Sequence, residues 1–462
     1  MTDPVRYWYN MFDRYPHGEE SEMNKTEKRI LTVLDQNTER ILAFGRDVYH
    51  HAELGYREYR TSERFLEQMQ RLGLDTESGL ALTGGKAYLR TGRPGPCLAL
   101  LGEMDGLPMP EHPHANPETG AAHACGHHCQ LAGIVGAAIA LSDPEVTASL
   151  SGTVVFFAVP AEEYVDLSYR ARLIREGRIA YPGGKCELIR IGAFDDVDLC
   201  MAHHTSNEIS FGSSSGDGFF SKKAYFFGRA AHAAAAPENG INALSAASLA
   251  LQAIGMNRES FAEKDGIRVS AVLTDGGAAP GIIPDTACIE AMVRGKTLSA
   301  IETASSVVDR CFRAGALAIG AKTRIETRAG YLPEKAASAP RELVDMAREL
   351  LPDAEVRDDP CRHHGYGSSD LGDLRSILPV LQFHTGGTSG CLHQMDFDVT
   401  DEEEAYLLTA RLYALSAYRL LRSGARLAMA QIQAFQPLFS REGYCAYVDR
   451  IHTDYETPAH SG

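Results

Sequence analysis

The chain has 462 residues, 23% of them charged and 44% hydrophobic, with a formal net charge of −16. That length exceeds one ordinary domain, so two are expected, in a globular protein. The acidic excess excludes nucleic acid and anionic membranes as partners, and no run approaches the roughly 20 apolar residues that span a bilayer.

Residues 1–24 are a polar lead-in without an apolar core, so no secretory signal is expected. Ten cysteines are scattered without a CxxC pair or a disulfide-like framework, which suits a reducing, cytoplasmic setting. From Lys25 to His51, residues Ile30, Leu31, Val33, Leu34, Ile41, Leu42 and Val48 recur at helical spacing. Thr61 to Leu72 predicts a second helix with Phe65, Leu66 and Leu72 inward. Cys97 to Leu101 reads as a strand ending at Gly102-Glu103-Met104-Asp105. His128 to Leu141 is a helix of small residues suited to close packing, and 152–159 reads as a buried strand. This alternation predicts a mostly parallel sheet flanked by helices.

The pattern changes after about Gly216. Strands are expected at Phe219–Arg229, Ile267–Thr274, Ala287–Arg294 and Lys322–Arg328, with helices at Ile241–Met256 and Ser299–Ile319. That order is βαββαβ, a split ferredoxin-like unit. Beyond Pro340 the α/β pattern resumes, with helix 340–351, strand Val380–Phe383 and helix 401–422. The expected architecture is an α/β domain in two parts, 1–215 and 335–462, interrupted by an inserted ferredoxin-like domain over 216–334. The tail from Gly424 to Gly462 is less periodic and suggests no function.

Chemistry concentrates in His123-Ala124-Cys125-Gly126-His127-His128 and in Glu162-Glu163. The glutamates follow the run Val154–Pro160, so they sit just past the carboxyl end of a buried strand, where open α/β sheets bind ligands. Cys, His and Glu are donors for zinc and similar divalent ions. Adjacent carboxylates on extended backbone face opposite ways, so one can bind metal while the other faces substrate. His203-His204 ends another apolar run, and one of the two is expected as a ligand. His393 follows a Gly-rich loop able to approach a site closely. His128, beside His127, is expected to point elsewhere. Arg294 ends a strand of the inserted domain and could hold a carboxylate in its planar fork. His232 lies among tiny residues and could equally buttress a turn. Together these residues read as a metal-dependent hydrolase, with a structural Cys/His zinc site on an unrelated α/β protein as the plainer alternative.

Six segments together resemble one family: His51–Glu58, Gly102–Pro108, His123–His127, Pro160–Glu163, Gly228–His232 and Gly367–Gly372. It is the dinuclear metallopeptidase family of aminoacylases, carboxypeptidase G-type enzymes and hippurate hydrolases, in the branch similar to aminobenzoyl-glutamate hydrolase. The resemblance runs in order through roughly residues 35–420. It implies hydrolysis of the amide bond of an N-acyl or N-aroyl amino acid or a dipeptide-like compound. It implies two divalent ions, zinc or manganese first with cobalt and nickel also admitted, on Cys125, His127, Glu163, His204 and His393, with Cys125 bridging. Glu162 would be the general base, Asp105 would orient a ligand imidazole, and Arg294 would grip a substrate carboxylate. The inserted domain would serve as lid and as the surface of a homodimer or higher homo-oligomer, and His232 of the partner subunit would stabilise the oxyanion. Three departures stand out: His128 where the branch has Asp or Asn, Gly281 where the lid carries Asn before an apolar-apolar-Pro segment, and a long excursion, Tyr164 to Leu188, that could shape the pocket or lie on the surface. The first two favour the rival expectation of a non-catalytic binding or scaffold member.

Overall fold

The computed structural model describes residues 23–358 and 364–457. The expected polar lead-in, apart from Met23 and Asn24, lies outside them.

Eight strands form the larger sheet, in the order Asp75–Leu80, Gly84–Arg90, Thr153–Val159, Cys97–Glu103, Leu199–Thr205, Val380–Thr385, Ile209–Phe211 and Val356–Arg357. Its centre is parallel: Cys97–Glu103 pairs in parallel with both Thr153–Val159 and Leu199–Thr205, which in turn pairs in parallel with Val380–Thr385. The first two strands are antiparallel additions at one edge. They were not expected from sequence, because Asp75–Leu80 is exposed and Gly84–Arg90 is buried at nearly every position, so neither alternates cleanly.

One face of the sheet packs on the helix His127–Leu141, every residue of which is buried. Its small residues let neighbours approach: a Cβ at Gly136 would stand 2.4 Å from Ala410 Cβ, and one at Gly133 would stand 2.5 Å from Thr409 Cγ2. The long helix expected over Lys25–His51 is in fact two, Lys25–Gln36 and Thr38–His50. Asn37 separates them, its side-chain amide donating to Val33 O at 2.9 Å in competition with the helical ladder. The helix expected over 401–422 opens with a wide π turn at Glu403–Leu408 and continues over Thr409–Ala434, with left-handed residues at Ser423, Gly424 and Ala425.

Between the two parts of this layer lies a βαββαβ unit whose observed bounds fall within a few residues of expectation: Gly218–Phe227, Ala243–Asn257, Arg268–Asp275, Thr286–Gly295, Leu298–Ile319 and Lys322–Ala329. Its antiparallel sheet has the order Arg268–Asp275, Thr286–Gly295, Gly218–Phe227, Lys322–Ala329, and then a fifth strand, Thr453–Glu456. That fifth strand comes from the tail, paired antiparallel with Lys322–Ala329. The helix before it, Arg441–Ile451, buries Tyr444, Val448 and Ile451 in the core on the other face of the large sheet. The tail therefore binds both layers.

Candidate metal centre

The parallel strands deliver the chemistry at their carboxyl ends. Cys97–Glu103 leads to Asp105, Thr153–Val159 leads to Glu162 and Glu163, and Leu199–Thr205 carries His203 and His204 near its end. Gly126 precedes the helix His127–Leu141 at φ +82, where a Cβ would stand 2.4 Å from Thr205 Oγ1. Only glycine makes this turn without strain, and it aims Cys125 and His127 at the same space.

Cys125 Sγ lies 3.4 Å from His204 Nε2 and 3.3 Å from His393 Nε2, and the latter is 3.3 Å from Glu163 Oε1. Donor atoms of Cys125, His127 and His204 lie within 4.8 Å of one another, as do those of Cys125, Glu163 and His393. Five expected donors thus converge in two sets that share the thiol. Glu162 faces His127 instead, its Oε2 3.9 Å from Nε2. Asp105 sits behind: its main-chain O is 2.8 Å from His127 Nδ1, its Oδ1 is 3.3 Å from the same nitrogen, and its Oδ2 accepts from Glu163 N–H at 2.8 Å. One residue thereby fixes an imidazole and a backbone that both serve the cluster.

The donor set fits divalent metal. His127 Nε2 and Glu163 Oε1 are buried and make no well-formed hydrogen bond, with only Glu103 Oε2 at 3.1 Å and His393 Nε2 at 3.3 Å beside them. A buried polar atom left so costs about 1–3 kcal/mol, and a cation among thiol, imidazole and carboxylate donors would satisfy both. Burial and the Glu163 carboxylate hold the Cys125 thiol well above its ordinary range, so a cation is what would favour the thiolate. Burial, then the carboxylates of Glu103 and Glu163, push Glu162 well above the usual carboxylate range.

Other expected residues lie apart from the cluster. His128 turns away, with Tyr49 at 4.6 Å and His123 at 5.3 Å between ring centroids, and burial lowers its basicity. His203 is within 2.8 Å of Thr385 Oγ1 and packs on Phe383, while His204 takes the place beside the thiol. His232 is exposed on the inserted unit, its Nδ1 accepting from Ala234 and Ala235 N–H at 3.2 and 3.0 Å. Arg294, on the strand Thr286–Gly295, faces the same cleft from across it, donating to Ser368 Oγ at 2.8 Å above the Phe219 ring. The cleft measures about 1350 Å³ and has Glu103, Cys125, Glu162, Glu163, His204 and His393 on its floor.

Glu103 lies in one of the motifs, yet sequence reasoning alone gives it no role. Its Oε2 lies 3.1 Å from His127 Nε2, and its Oε1 accepts from the buried ammonium of Lys185, which also donates to Asp370 at 2.5 Å. Burial would raise Glu103, yet Lys185 and then His127 pull it down to about 2. Burial outweighs Lys185 at Asp370, which rises to about 6.

Residues 99–419 match Peptidase family M20/M25/M40. The chain belongs to this family. Among M20 relatives, the human Xaa-Arg dipeptidase is 27% identical over 85% of this chain and 87% of its own length. One of the p-aminobenzoyl-glutamate hydrolase chains of Escherichia coli is 29% identical over 64% of this chain and 67% of its own. A dinuclear metal-binding M20 peptidase from Bacillus subtilis shares the fold with a TM-score of 0.58 at 20% identity, over 85% of this chain and 99% of that one. The aminobenzoyl-glutamate utilization protein of Klebsiella pneumoniae superposes with a TM-score of 0.61, also at 20% identity and over 85% and 99%. Family membership makes the chain a hydrolase that uses divalent metal. No helix among the described residues is long and apolar enough to cross a membrane.

Proposed function

We propose that the chain hydrolyses the amide bond of an N-acyl or N-aroyl amino acid or a dipeptide-like compound. The observation that carries this reading is a pair of donor sets that share Cys125, with the buried Glu162 carboxyl beside them and grouped with Glu103 and His127. The relatives' names point the same way, since they act on Xaa-Arg dipeptides and on p-aminobenzoyl-glutamate.

In this reading Cys125, His127, Glu163, His204 and His393 would hold two divalent ions. Ions held there supply a Lewis acid for the amide carbonyl and ease the ionisation of water. Glu162 takes the proton of the attacking water and passes it to the leaving amine nitrogen. Asp105 keeps His127 in one orientation and tautomer. Arg294 grips the substrate carboxylate from the opposite wall of the cleft. His232 is exposed and does not line its own chain's cleft, so it serves the oxyanion of the partner protomer in a homodimer formed through the inserted unit. The His128 departure falls outside the donor sets and leaves this chemistry intact. A cytoplasmic location is supported by the described cysteines, all of which are free.

The test is amine release by protein loaded with zinc or manganese, offered N-acyl amino acids, aminobenzoyl-glutamate, hippurate and dipeptides. Wild type should cleave at least one, and Glu162→Gln should keep its metal while losing about 100-fold or more in kcat. Near-normal turnover by that variant would remove Glu162 from its role, and silence of metal-loaded wild type on every compound would reject the hydrolytic reading.

A further inference from the structure

The segment between Glu163 and Lys185 carries a helix, Leu167–Arg175, whose Arg170 is 1% exposed. A buried guanidinium is unfavourable unless its donors are satisfied. Among the described residues Arg170 has no carboxylate partner in an ion pair. Its guanidinium instead donates to three backbone carbonyls, those of Ala161, Glu163 and Pro182. It lies 5.4 Å from the Tyr56 ring centroid and 5.7 Å from that of Tyr164. Gly55 makes room for it, since a Cβ there would stand 2.8 Å from Arg170 Nη2.

The carbonyls it gathers belong to the turn that presents Glu162. Ala161 has φ +54, a left-handed conformation that L-residues other than Asn and Asp seldom adopt. Such a turn persists only where its surroundings over-determine it. Here they do. Glu58 Oε1 accepts from Ala161 N–H at 2.8 Å, Gly184 N–H donates to Ala161 O at 3.1 Å, and the Tyr331 hydroxyl donates to Glu162 O. Asp105 holds Glu163 N–H from the other side. Arg170 is the one cation in this set, and it ties the turn's two ends to the following segment.

We propose that Arg170 is a positioning residue for Glu162: with Glu58 and Tyr331 it holds the Ala161–Glu163 turn in its left-handed form, so that the general base faces the cleft. The inference rests on the hydrolytic reading above. It also gives the excursion over 164–188 a part in the site, since that excursion delivers Arg170 beneath the turn and Lys185 beneath Glu103.

Steady-state kinetics on the best amide substrate, with metal content and Tm for each variant, test it. Arg170→Met should lower kcat by about ten-fold or more with KM and metal content within about two-fold of wild type, because a displacement of an ångström suffices for such a loss. Arg170→Lys should recover part of the kcat. Adding Ala161→Gly to Arg170→Met should recover part as well, since glycine takes the left-handed turn without help. Tyr331→Phe removes one hydroxyl and no charge, should fold, and should lower kcat several-fold; it decides the matter where Arg170→Met does not fold. The proposal is overturned by folded Arg170→Met and Tyr331→Phe proteins that keep kcat within about two-fold while Glu162→Gln is inactive. It is equally overturned by losses in which kcat and metal content fall and KM rises together and Ala161→Gly recovers nothing. Wild type inactive on every amide would instead reject the hydrolytic reading, and this inference with it.

Discussion

Gly126 shows how one residue without a side chain sets a site. At φ +82, and with Thr205 Oγ1 where its Cβ would be, it fixes Cys125 on one side and His127 on the other. Gly126→Ala costs about 1–2 kcal/mol for the left-handed conformation alone, and relief of the clash moves two donors at once. The expected outcome is a lowered Tm together with a fall in bound metal per chain; full metal occupancy in a folded variant would show that the turn does not govern the cluster. Asp373 illustrates a different control. It is buried, with Tyr444 hydroxyl and Leu332 N–H donating to it at 2.8 and 3.0 Å, and burial pushes its carboxyl up to about 7. The unfolded chain releases that proton near pH 4, so between the two values the folded chain binds more protons. This contribution to stability is complete below about pH 4 and is lost as pH rises through about 7. Asp373→Asn stays neutral and should flatten the stability profile across that window, read from urea midpoints; equal slopes in both proteins would contradict the assignment.

At the scale of elements, the legible parts were those whose partner surface imposes one period. Most of the inserted unit's strands and helices have one buried and one more exposed face and were placed to within a few residues, as was Arg268–Asp275, none of whose residues is buried. Breaks were not legible. Asn37 interrupts an unbroken apolar stripe through a side-chain hydrogen bond that periodicity does not record. The tail helix carries its inward residues as Tyr444, Val448 and Ile451, a helical spacing diluted by Glu442, Asp449 and Arg450. The candidate site divides in the same way. Cys125, His127, Glu162 and Glu163 lie in short motifs at strand ends, and the structure brings them together with His204 and His393. Glu103 and Lys185 act through partners distant in sequence, such as Lys185 with Asp370, and Arg170 through main-chain carbonyls, so no local pattern announces them. The tail strand yields a prediction of its own. Ending the chain at Phe435 removes one of the two partners of Lys322–Ala329, and amide exchange over that strand should quicken while the Cys97–Glu103 strand keeps its protection. Unchanged exchange over 322–329 would mean the tail strand contributes nothing to the inserted sheet.

Across the whole molecule, the tail links layers that the chain otherwise joins only at the entry to and exit from the insert. Tyr181 hydroxyl donates to Asp449 at 2.8 Å and Tyr444 hydroxyl to Asp373, which anchors the helix on the large-sheet layer. Tyr447 and Arg450 reach Glu302 on the inserted unit at 3.0 and 2.7 Å, and Arg328 pairs with Asp454 at 2.7 Å. Most of these pairs are exposed at one partner or both, so their strength comes from number and from the buried apolar residues beneath them. The strand at the end of this brace has a further effect, on growth. It replaces an eight-residue edge with a four-residue one that carries Asp454 and Glu456, and short acidic edges resist further pairing. One long edge is left, Arg268–Asp275, with Val272 64% and Leu273 38% exposed. A ribbon that can add only on one side closes after two copies, whereas one open on both sides propagates without limit. The four-residue strand thus leaves the inserted sheet with one long unpaired edge instead of two.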